Sequence, residues 1–232
     1  YGYGSYGHSL EAGFSSSRLS LVDRGIVFAI AHIRGGEELG RNWYLNGKLE
    51  KKENTFKDFI SCTEHLIKTK FTSKQKVIAV GGSAGGMLMG AIANQRPDLY
   101  LGIIAHVPFV DVLTTMLDDS LQLTAMEYNE WGNPNEKKAY QQIKNYSPYD
   151  NVKAQNYPNM LITCGLNDPR VTYWEPAKWT AKLRELKTDN NLLLFKTNME
   201  AGHAGNSGRF DYLKEIALDY AFIFKILNFR KI

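Results

Sequence analysis

Apolar residues follow two rhythms along this chain. Short, almost wholly apolar runs alternate with longer stretches in which apolar positions recur every three or four residues. The runs "GIVFAIAHI" (25–33), "KVIAV" (76–80), "LGIIAHV" (101–107), "NMLITCG" (159–165) and "NLLLFKT" (191–197) read as buried strands. The stretch 54–68 sets Phe56, Phe59, Ile60, Thr63 and Ile67 on one face, with Asn54 at the N-cap position, and predicts a helix. Residues 85–95 predict a second helix directly behind a strand. Residues 175–187 predict a third, with Pro176 tolerated in its first turn. A last amphipathic helix spans 210–228 on Phe210, Leu213, Ala217, Tyr220, Phe224 and Leu227. Apolar strands alternating with helices predict an α/β fold, a mostly parallel sheet with helices on both faces. Residues 108–150 break the alternation and are expected to hold short helices and the loop "NYSPYDNV".

Composition narrows the function classes. The 232 residues are 44% hydrophobic and 12% aromatic, which suits a folded chain of one domain or at most two. Net charge is +4, but the lysines are scattered. The densest cluster, Lys48, Lys51 and Lys52, reads as a solvated loop, and no nucleic-acid motif accompanies it. No apolar run reaches the length of a membrane span and no signal peptide is visible, so no membrane partner is expected. Cys62 falls on the inner face of the predicted helix and Cys164 at a strand end. Both are expected to be buried free thiols, in keeping with a reducing, cytoplasmic setting. The chain lacks an initiating Met and opens abruptly on "YGYGSYG", so it is expected to be part of something longer.

The chemistry is concentrated in "AVGGSAGGML" (79–88). Gly81, Ser83 and Gly85 match G-x-S-x-G, in which glycines let a strand meet a helix in a sharp turn that exposes the serine hydroxyl. The rival reading is a small packing or turn serine. A nucleophilic serine needs a base, and the base an orienting acid, in the chain order Ser, Asp or Glu, His. Asp168 follows the strand 159–165, and His203 lies in a glycine-bounded loop after 191–197. Both therefore belong at the sheet edge that carries Ser83. His8, His32, His65 and His106 fall too early or within elements, and read as core or surface histidines. Neither H-E-x-x-H nor paired C-x-x-C occurs, and the glycine run does not complete G-x-G-x-x-G after Gly85. No metal or organic cofactor is expected.

The segments "YGYGSYG", "IAHIRGGEELGRNWY", "GGSAGGMLMGAIANQRPDLY", "EWGNP", "SPYDNV", "YWEPAKWTAKLRELKT" and "AGHAGNSGRF" resemble the catalytic domain of the prolyl oligopeptidase family. The resemblance runs over essentially all of 1–232 and points to the branch that cleaves after basic residues. It implies an α/β-hydrolase domain, truncated at its amino end, that hydrolyses short peptides after Arg or Lys through Ser83. It also implies a β-propeller ahead of this domain in the parent chain, together with the family's first hydrolase strands. Tyr3 corresponds to the family's oxyanion tyrosine, and the backbone N–H of Ala84 to the second donor, which the elbow geometry also requires. Arg170 corresponds to an arginine that holds the substrate backbone. Glu127 corresponds to the acid that receives the basic side chain, a site that demands charge pairing. Glu130 lies one helical turn further on. Glu11 fills the first place of a second acidic pair, whereas Gly13 fills the other and weakens any preference for a second basic residue. Two rivals remain open at this point: another peptidase of the family or an esterase, and an inert fragment that keeps the fold.

Overall fold

Four of the five apolar runs pair into a sheet, and the fifth does not. The computed structural model describes residues 1–229. In it β1 (Ile78–Gly82), β2 (Gly102–His106), β3 (Asn159–Gly165) and β4 (Leu193–Asn198) form a parallel sheet in that order. The register sets Ile78 against Gly102, Gly102 against Asn159 and Met160 against Leu193. Parallel neighbours need crossover connections, which the helices supply. Ile103, Ala105, Met160 and Ile162 face one core, beneath α3 (Glu53–Lys68), α4 (Ala84–Gln95) and α8 (Trp174–Leu186). Ile104 and Leu161 face the other, where α9 (Tyr212–Ile226) brings Phe222 and Ile223 and α1 (Ser16–Val22) brings Leu21. Residues 84–94 of α4 are all buried, which explains a helix with hardly a polar side chain. The irregular region holds α5 (Val112–Leu117), α6 (Thr124–Trp131) and α7 (Lys137–Tyr146), as expected.

Several expectations are corrected. The run 25–33 is not a buried strand: Gly25 lies in a turn and the residues after it join no strand of the sheet. The Ala31 N–H donates to the Tyr1 carbonyl at 2.9 Å, and the Tyr1 amino group to the Ala29 carbonyl at 2.7 Å. Two bonds about one residue make no ladder, and Val27 is left 71% exposed. Asn54 does not cap α3: Lys52 holds that place, and the Asn54 amide donates instead to the Asn46 carbonyl at 2.9 Å. Cys62 is exposed, because Thr63, one residue on, takes the inward position; Cys164 is buried and free. Lys52 is not a solvated loop residue but is 1% exposed. Its place is on the apolar stripe of α3, four residues before Phe56 and seven before Phe59. The short helices α1 and α2 (Arg41–Leu45) went unpredicted, since each buries a single residue and shows no periodic stripe.

Candidate active site

At the carboxyl end of β1 the chain turns into α4 through Ser83, whose φ of 57° and ψ of −119° lie where residues with a side chain seldom go. Such a conformation costs about 1–3 kcal/mol and persists only when its surroundings over-determine it. Here the Ser83 N–H donates to the His106 carbonyl at 2.8 Å. The Ser83 carbonyl accepts from the N–H groups of Gly86 (2.8 Å), Met87 (3.1 Å) and Phe109 (3.1 Å). The flanking glycines are steric requirements, because a Cβ on Gly81 would lie 2.3 Å from the Gly85 carbonyl oxygen. Ala84 opens α4, so its N–H has no carbonyl one turn back to bond.

Asp168 and His203 come from the loops after β3 and β4. His203 Nδ1 donates to Asp168 Oδ2 at 2.7 Å. Asp168 Oδ1 accepts from the N–H groups of Arg170 at 2.8 Å and Val171 at 3.0 Å. Burial alone would push the Asp168 carboxyl upward. The His203 bond and the two backbone donors outweigh it and hold the group below the usual carboxylate range. With Nδ1 committed to an ionised carboxylate, Nε2 is the nitrogen left to act as a base. Ser83, His203 and Tyr3 line one cavity of about 680 Å³. The Tyr3 hydroxyl is pushed up to about 12, first by burial and then by the charges of Tyr1, Glu127 and Glu130, with an interaction with Ser83 offsetting part of the rise. It is therefore a neutral donor at ordinary pH.

Glu127 lines the same cavity. Its Oε2 accepts from Tyr6 Oη at 3.0 Å and Trp131 Nε1 at 2.6 Å, while Oε1 has no partner among the described residues. Arg170 is exposed at the cavity wall. Two expected binding residues are not there. Glu130 is buried behind the wall, accepting from the Tyr6 N–H at 2.9 Å and Tyr44 Oη at 2.6 Å. Glu11 is exposed and lines no part of the cavity.

Sequence reasoning missed Tyr6, Lys52 and Glu175. Glu175 is fully buried against the cavity. It accepts from the N–H groups of Val110 (3.0 Å) and Asp111 (2.9 Å) and from Thr115 Oγ1 (2.7 Å). Burial pushes its carboxyl up to about 7, against the pull of those donors. Its signal was present in the phase of α8, four residues before the buried Trp179. Among the described residues, no group of three His, Cys, Asp or Glu side chains could hold a metal ion, and no helix is long and apolar enough to cross a membrane.

A sequence profile described as the prolyl oligopeptidase family matches residues 12–230. Protease 2 of Moraxella lacunata is 55% identical over 239 residues, covering 99% of this chain and 35% of that protein. Dipeptidyl aminopeptidase BI of Pseudoxanthomonas mexicana is 55% identical over 223 residues, covering 96% of this chain and 31% of that protein. Among solved structures, oligopeptidase B from Trypanosoma brucei with covalently bound antipain superimposes with a TM-score of 0.97 at 55% identity. That match covers 100% of this chain and 33% of the other. The chain thus spans about a third of the length of each.

Proposed function

This chain belongs to the prolyl oligopeptidase family, and on that premise we propose that the protein is a serine peptidase cleaving short peptides on the carboxyl side of Arg or Lys. One observation carries the reading: His203, whose Nδ1 is bonded to the buried Asp168 at 2.7 Å, lines the cavity that Ser83 and Glu127 also line. Ser83 Oγ attacks the scissile carbonyl while His203 Nε2 takes its proton. The same nitrogen then gives that proton to the departing amine, and water repeats the cycle on the acyl-enzyme. Asp168 fixes the imidazole tautomer and offsets its transient positive charge. Tyr3 Oη and the Ala84 N–H donate to the oxyanion. A guanidinium or ammonium entering the cavity meets the unpaired oxygen of Glu127, where desolvation makes an ion pair selective. A β-propeller elsewhere in the full-length protein would limit access to small peptides.

The test is a cleavage profile of the full-length protein over peptides that differ only in the residue before the scissile bond. Arg and Lys peptides should be cut and uncharged ones spared. Ser83→Ala should lower kcat by about 10⁴-fold or more. Faster hydrolysis of a neutral aryl ester than of an Arg amide would favour an esterase instead. The name of the Pseudoxanthomonas relative suggests removal of dipeptides from a free amino end. An amino-blocked Arg peptide separates the two, since only the endopeptidase cuts it.

A further inference from the structure

Tyr3 sits in a loop whose internal backbone bond, from the His8 N–H to the Ser5 carbonyl at 3.0 Å, closes only the turn beyond the tyrosine. Gly4 and Gly7 have φ of 70° and 66°, and Tyr6, which carries a side chain, has φ of 60°. At either end of the loop, the Gly2 N–H donates to the Val80 carbonyl (3.2 Å) and the Gly7 N–H to the Gly35 carbonyl (2.9 Å). Two charged side chains, both withdrawn from water, supply most of the grip between these points. Lys52 Nζ donates to the Gly4 carbonyl at 2.6 Å and to Ser5 Oγ at 2.8 Å. It also lies over the Trp131 ring, 5.1 Å from its centre. Glu130 takes the Tyr6 N–H, and the Tyr6 hydroxyl in turn reaches Glu127. Residues 4, 5 and 6 are thus each held from outside the loop, directly behind the tyrosine proposed for the oxyanion.

A fully buried ammonium is costly. Burial pushes Lys52 down to about 7, which nearby Glu130 only partly offsets. An apolar side chain would fill the space beside Trp131 without that cost, but it could not donate to Gly4 and Ser5. We propose that Lys52, working with Glu130, is a positioning residue for catalysis: it sets the Tyr3 hydroxyl at the oxyanion. This rests on the serine-peptidase reading above.

The test is a double-mutant cycle on the full-length protein, with rates referred to titrated active sites. Lys52→Met should lower kcat for an Arg peptide by about 10–100-fold with KM nearly unchanged, because it loosens a donor used in the transition state. In a Tyr3→Phe background the same change should cost no more than about 3-fold, as expected for residues that act as a unit. Unchanged kcat, or losses that multiply in full, would overturn the proposal. Should Lys52→Met fail to fold, Ser5→Ala removes one of the two lysine acceptors. It should cost about 3–10-fold in kcat and nothing further on Tyr3→Phe; no loss, or full additivity, would again overturn it. Ser83→Ala is measured alongside. Wild-type turnover there defeats the peptidase reading itself, whereas an inactive Ser83→Ala beside a normal Lys52→Met defeats this inference alone.

Discussion

At the residue scale, the site separates groups by the environment each is given. Tyr3 keeps its proton because burial and nearby carboxylates raise its pKa to about 12. In the role proposed for Tyr3 the protonated form is the donor, so a raised pKa would extend the active range upward. As far as Tyr3 is concerned, kcat should stay flat between pH 8 and pH 10, where a tyrosine at its ordinary value of 10.0 would be half ionised. A pH profile on an Arg peptide checks this. Tyr3→Phe should cost about 10²–10³-fold in kcat with little change in KM. Glu127→Gln keeps the shape of the pocket and removes its charge. It should lower kcat/KM on Arg peptides by about 2–5 kcal/mol and on uncharged ones by far less, read from parallel rates. The serine, acid and histidine were legible because their signals are local: a turn motif and two loops behind apolar strands. Lys52, Tyr6 and Glu175 were not, because burial of a charge or a hydroxyl is decided by what packs on it. Glu127 and Glu130 show the limit well. Three residues apart on α6, they read alike in sequence, yet one reaches the cavity and the other lies buried behind its wall.

At the element scale, the wall of the cavity is tied to the sheet by α8. Glu175 gathers three donors from the segment entering α5 and from α5 itself. Glu175→Ala leaves them without an acceptor inside the protein and should cost about 3 kcal/mol, measured by chemical denaturation. The raised carboxyl also gives a pH signature. A group whose native pKa exceeds its unfolded value contributes stability that is present below pH 4.5 and lost as pH rises through about 7. The melting temperature should therefore fall more steeply between pH 5 and pH 8 in the wild type than in Glu175→Gln. Strand and helix existence was read correctly where a run had paired neighbours or a clear stripe. The run 25–33 was misread because apolarity alone does not say whether a ladder partner is present.

At the scale of the whole molecule, the alternation of apolar runs with helices was enough to give a parallel sheet covered on both faces, and the site's place at one edge followed. It was not enough to show that α4 lies buried on every side. Amide hydrogen exchange should find α4 the slowest segment and 26–31 among the fastest, and comparable rates would contradict the packing described. That same 26–31 segment has a further consequence. The Ala29 carbonyl and the Ala31 N–H bond to Tyr1, while the N–H groups of Phe28 and Ile30 meet no acceptor among the described residues. The outer strand on the opposite side, β4, carries Lys196, but residues 25–31 contain no charge at all. An uncharged, half-paired edge is a template for a strand from another molecule. In a preparation of this 232-residue chain, the apparent molar mass from light scattering should rise with concentration through such edge-to-edge self-association. Val27→Lys, at an exposed position on that edge, should keep it monomeric.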